Sequence, residues 1–105
     1  MIAISFVRDE ADIENFKQLI ADYLDQNEAV ELMAKVETEK GIKNVETIAK
    51  VCDWVMVARG DLALNVPFEY MGVYENRCID ACERMGTKCM IATPVSYTHL
   101  TLPTT

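Results

Sequence analysis

Four short apolar runs set the fold class of this chain. Ile2–Val7, Val30–Val36, Trp54–Ala58 and Cys89–Thr93 each have the length of a buried strand. The segments between them carry helical spacing. Asp9 and Asp12 offer N-cap chemistry ahead of Ile13, Phe16, Ile20, Tyr23 and Leu24. Gly41 breaks the chain after the second run, Asn44 can cap, and Val45, Ile48, Ala49 and Val51 make a short helix. Pro67 suits the first turn of a long helix with Tyr70, Tyr74, Cys78, Ala81, Cys82 and Met85 on one face, and Gly86 is its natural stop. No Asn-Gly or Asp-Gly hairpin signal lies between the runs. The order βαβαβαβ therefore implies parallel strands joined by right-handed helical crossovers. A barrel and an open doubly wound sheet both satisfy it. No G-x-G-x-x-G follows the first run, which removes the main open-sheet signature. The expected fold is α/β, a partial (β/α)₈ TIM barrel of about four consecutive parallel βα units.

Composition narrows the function classes. The chain has 105 residues, half of them hydrophobic, which suits one domain or a piece of one. No apolar run reaches the roughly 20 residues of a membrane span, and no basic segment precedes an apolar stretch as in a signal peptide. A cytoplasmic location is expected, with no membrane partner. The net charge of -7 leaves no basic stripe for phosphates, so no nucleic-acid partner is expected. Cys52, Cys78, Cys82 and Cys89 form no C-x-x-C and read as reduced thiols. Cys78 and Cys82 share a helical face, but zinc needs four ligands. Buried small apolar residues are the simpler role for them. Met33, Met56, Met90, Trp54 and the tyrosines read as core packing.

The last residues differ in style. Val95–Thr105 has no charged residue and neither helical nor alternating periodicity. The string resembles the in-frame translation of a transposon-type sequencing adapter. The domain is therefore taken as residues 1–94, and residues 95–105 as an unstructured, adapter-derived tail outside fold reasoning. His99 then has no claim to catalysis, and Pro94 reads as the product of a hybrid codon that began with a native C.

Polar residues gather where the strands end. Ser5 and Arg8, Lys35 and Glu37, Arg59 and Asp61, and Thr93 lie at or near the C-termini of four consecutive strands. In a (β/α)₈ barrel that rim is where active sites are built. Glu37 and Asp61 supply hard oxygen donors of the kind Mg²⁺ prefers. Alternation aims Lys35 to the same side as Glu37. An ammonium beside a divalent ion favours a phosphate or a developing enolate. Backbone N–H groups of Gly60 and Asp61 can hold a carboxylate, and Thr93 adds a hydroxyl. The set suits an anionic, phosphorylated enol or keto acid. Two plainer readings stand beside it: Lys35–Glu37 as a solvated surface pair, and Arg59-Gly60-Asp61 as an adhesion tripeptide.

At these residues the sequence resembles the pyruvate kinases. Ser5-Phe6-Val7-Arg8 is similar to that family's S-F-[IV]-R, and Lys35 to Gly41 to its K-[IV]-E-x-x-x-G. Met56 to Leu62 matches M-V-A-R-G-D-L, and Ile91-Ala92-Thr93 stands where the family reads A-T-Q-M. Ala63-Leu64-Asn65 departs from the usual Gly-[VI]-Glu. The resemblance implies a glycolytic phosphotransferase that converts phosphoenolpyruvate and ADP to pyruvate and ATP. It implies Lys35 and Thr93 as catalytic residues, and Lys35, Gly60, Asp61 and Thr93 as substrate-binding residues. Glu37 and Asp61 would be ligands of Mg²⁺ or Mn²⁺. A parent homo-oligomer (a tetramer) is implied, and a K⁺ requirement whose ligands lie outside this stretch. A whole barrel takes about 250 residues, so the isolated chain is expected to be inactive. A metal-dependent aldolase or lyase of the phosphoenolpyruvate/pyruvate barrel group is the alternative. Lys35 two residues before Glu37 and the full Met56–Leu62 string favour the kinase.

Overall fold

The computed structural model describes residues 1–21 and 30–92. In chain order the elements are β1 (Ile2–Ile4), α1 (Glu10–Ala21), β2 (Leu32–Val36), α2 (Glu39–Lys43), α3 (Val45–Val51) and β3 (Trp54–Ala58). Then come α4 (Arg59–Ala63), a 3₁₀ turn (Phe68–Tyr70), α5 (Met71–Met85) and β4 (Lys88–Ala92). Every strand pairs parallel with its successor, in the spatial order β1-β2-β3-β4. Among the described strands the order never reverses, so no switch point of the doubly wound kind occurs there and the sheet follows the arc of a barrel wall.

The register assigns the two faces. Ala34 pairs with Val55 and Val55 with Cys89, while Val36 pairs with Val57 and Val57 with Ile91. Ala34, Val36, Val55 and Val57 are fully buried, in one cluster with Ile13 of α1, Ile48 of α3 and Cys78 and Cys82 of α5. Helices thus cover this face through their apolar stripes. The other face carries Met33, Lys35, Trp54, Met56, Lys88 and Met90 in matching register. It is less covered: Met90 is 40% exposed, which corrects its expected place in the core. Met90 lies on the sheet face away from the helices, and no described element packs over it closely enough to bury it.

Local chemistry explains the remaining boundaries. β1 is shorter than the expected Ile2–Val7 because Phe6 turns into the left-handed region, at φ 55. Val7 rejoins β2 by donating its N–H to the Lys35 carbonyl at 3.2 Å. Gly41 does not break the chain; it lies inside α2. A Cβ there would sit 2.6 Å from the Val7 carbonyl oxygen and 3.0 Å from Val36 Cγ1, so glycine lets the helix approach the strand ends. Thr38 caps α2 by accepting the Gly41 N–H at 3.2 Å, a contact of about 1 kcal/mol. Asn44 precedes α3 but makes no side-chain cap; its amide donates to the Arg8 carbonyl instead. Pro67, at ψ 140, stands before the 3₁₀ turn rather than inside a long helix, so α5 starts at Met71. Tyr70 is consequently exposed, a correction to its expected place on the buried face. Gly86 ends α5 at φ 68, as its position suggested.

All four cysteines are free. Burial pushes the Cys78 thiol up to about 12 and the Cys52 thiol up to about 11, so both stay protonated and behave as apolar groups. Among the described residues no helix is long and apolar enough to cross a membrane. Tyr23, Leu24, Thr93, Pro94 and the 95–105 tail lie outside the described residues.

Two helical glycines give a paired test in the full-length protein. Gly72 in α5 has nothing within 4 Å of an added Cβ. Gly72→Ala should stabilise by up to about 1 kcal/mol through helix propensity. Gly41→Ala should destabilise by about 1–3 kcal/mol, because backbone must shift. Melting temperatures measured side by side check the opposite signs.

Candidate active site at the strand C-termini

Glu37 directly follows β2, and the register continued by one residue sets it beside Ala58, where β3 passes into α4. It is the one buried charged residue among those described, at 2% exposure. An ion removed from water loses several kcal/mol of solvation, which charge and hydrogen-bond partners must replace. Glu37 has two such partners. Its Oε2 accepts the Phe6 backbone N–H at 2.7 Å, and its Oε1 lies 3.5 Å from Lys35 Nζ. The lysine side chain is 29% exposed, against 2% for the glutamate side chain. A solvated surface pair is not what forms here.

Phe6 completes the arrangement. A bulky residue at positive φ is rare, and such strain costs on the order of 1–3 kcal/mol. Here it turns the amide toward Glu37. The motif Ser5-Phe6-Val7-Arg8 was visible in the sequence, but its backbone role was not. Nothing in residue type alone marks a phenylalanine for a left-handed turn.

The second carboxylate stands on α4. Asp61 is the third residue of that helix and is exposed. Its carbonyl accepts the Leu64 N–H at 3.2 Å and the Asn65 side-chain amide at 3.0 Å. Its carboxylate makes no hydrogen bond or ion pair among the described residues. Gly60 precedes it and is also exposed; an added Cβ would meet no protein atom within 4 Å. Space is therefore open on the outer side of this turn.

Two other cations near the strand ends are engaged elsewhere. Arg8 donates its backbone N–H to Asp12 at 2.9 Å, with its Nε 3.4 Å from the same oxygen. That backbone hydrogen bond chiefly holds the Asp12 carboxyl below its ordinary value. Arg59 pairs with Glu75 of α5 at 2.6 Å. Lys35 and Glu37 are thus brought together and Asp61 is set on the next unit at the same end of the sheet, while Thr93 lies outside the described residues. A groove of about 700 Å³ runs along the β1 edge, bordered by Ile4, Phe6, Phe16 and Leu19; Lys35, Glu37 and Asp61 do not line it.

No group of three metal-ligating side chains occurs among the described residues. Glu37 and Asp61 each carry a hard carboxylate oxygen donor of the kind Mg²⁺ takes, one or two from the protein with waters or substrate oxygens for the rest.

Comparison with known proteins identifies the family. The family model for the pyruvate kinase barrel domain matches residues 1–104. A pyruvate kinase of Methanocaldococcus jannaschii is 37% identical over 94 residues, covering 90% of this chain and 20% of that protein. One from Lactococcus lactis subsp. lactis is 37% identical over 92 residues, covering 88% of this chain and 18% of that protein. A crystal structure of a pyruvate kinase from Cryptosporidium parvum superposes with a TM-score of 0.82 at 31% identity, covering 89% of this chain and 20% of that one. The chain spans about a fifth of the length of these relatives. With its parallel strands in barrel order and matched along nearly its whole length, it belongs to the pyruvate kinase family and represents part of that family's barrel domain.

Proposed function

We propose that this chain forms part of the catalytic barrel of an enzyme that moves a phosphoryl group from phosphoenolpyruvate to ADP, giving pyruvate and ATP. The observation that carries it is the buried Glu37 carboxylate, held by the Phe6 amide with the Lys35 ammonium 3.5 Å away at the C-terminal end of β2. Family membership supports the same reaction.

Each residue has a role in that chemistry. Lys35 is a fixed positive charge for the phosphoryl oxygens as they transfer and for the enolate left behind. Glu37 holds that ammonium in place, and its Oε1, with the Asp61 carboxylate, would bind Mg²⁺ or Mn²⁺. The ion, when bound, neutralises charge on the phosphate and polarises the substrate oxygens. The Gly60 and Asp61 N–H groups, in the first turn of α4, are free to bind the substrate carboxylate. Thr93 is assigned to the wall where the enolate carbon takes up a proton, completing pyruvate. Little covalent chemistry is asked of the protein; positioning and charge do the catalysis. A K⁺ requirement, a homo-tetrameric parent and a cytoplasmic site of action complete the proposal.

Two substitutions in the full-length enzyme test these roles. Lys35→Met should lower phosphoryl transfer by at least about 10²–10³-fold, as loss of a preorganised charge does, with Mn²⁺ affinity largely kept. Near-normal turnover would remove Lys35 from the mechanism. Glu37→Gln keeps an acceptor for the Phe6 N–H but loses the anion. Mn²⁺ affinity, followed by electron paramagnetic resonance, should fall by about tenfold or more. Unchanged affinity would exclude Glu37 as a ligand.

A further inference from the structure

We propose that Arg59 and Glu75 are positioning residues, their ion pair strapping α4 to α5 and fixing where Gly60 and Asp61 stand. Helix α4 has five residues, and isolated helices shorter than roughly 12–15 residues are marginal in water. Its N-cap, Ala58, offers no side-chain cap. What anchors it is the fully buried Leu62 on one side and the Arg59–Glu75 contact on the other.

That contact has the features of a strap. Arg59 Nε and Glu75 Oε1 are 2.6 Å apart, and the side chains are 32% and 20% exposed. Both atoms are shielded from solvent, and neither makes a well-aligned hydrogen bond among the described residues. The opposite charge is thus the one partner these two atoms have among the described residues, while water still reaches the rest of each side chain. Glu75 sits on a rigid post: α5 buries Met71, Cys78, Ala81 and Cys82 in the core. The functional consequence rests on Asp61 being a metal ligand, as proposed above; the mechanical one does not.

The test uses the full-length enzyme with Glu75→Leu and the isosteric Glu75→Gln, the second deciding if the first does not fold. Hydrogen exchange reads the turn directly through the Leu64, Asn65 and Val66 amides, which bond to the Asp61 and Leu62 carbonyls. Their exchange should quicken by about tenfold, while the β3 amides of Val55 and Val57 keep their protection. Mn²⁺ affinity should weaken by about tenfold, the effect expected of groups that orient a ligand. Unchanged exchange at the turn, or an equal loss of protection in β3, would overturn the strap. Quickened exchange with unchanged Mn²⁺ affinity would overturn its positioning role. An unsubstituted enzyme that binds no Mn²⁺ would defeat the metal reading of Asp61 and with it that role, while the exchange arm still judges the strap.

Discussion

A carboxylate almost fully removed from water governs this part of the barrel. Glu37 is 2% exposed, and a buried anion is tolerated only where charge and hydrogen bonds replace its hydration. The strand supplies Lys35 from its own alternation, and the neighbouring strand end supplies the Phe6 N–H. The second contact explains a local conformation that would otherwise be unfavourable, since Phe6 at φ 55 turns its amide to the acid. Strain at one residue is offset by solvation of another.

The packing behind β2 makes that exchange possible. Val36 and Val57 are fully buried partners in register, so the end of β2 cannot slip against β3 without turning its apolar side chains to the other face. Gly41 lets α2 close over the Val7 carbonyl, holding the end of the β1 segment against β2. Core packing on the helix-covered face thus sets the position of polar groups at the strand ends. The open turn at Gly60 and Asp61 is anchored differently, by Leu62 and by a charge pair to α5.

Much of this was legible in the sequence, for physical reasons. β3 runs from Trp54 to Ala58, the bounds of its short apolar run. Parallel pairing followed from alternating strand and helix signals without hairpin turns. Lys35 and Glu37 share a side because strand alternation is strict. What escaped was set by tertiary contact. Gly41 carries the ordinary mark of a chain break, yet its lack of a side chain serves close approach inside a helix. Met90 has the composition of core, but its place on the face away from the helices leaves it partly exposed. Arg59 and Glu75 lie on separate elements with no short-range signature to link them. The Phe6 amide that meets the buried Glu37 belongs to a residue at a backbone angle that residue type does not encode.

The central claim is that Glu37 and Asp61 share one divalent ion beside Lys35. Crystals of the full-length enzyme grown with Mn²⁺ and measured for anomalous scattering test it most directly. A single anomalous peak should lie between the two carboxylates, within coordination distance of both, with the Lys35 ammonium facing the same space. A peak held by other residues, or carboxylates of Glu37 and Asp61 directed to different sides of the sheet, would contradict it.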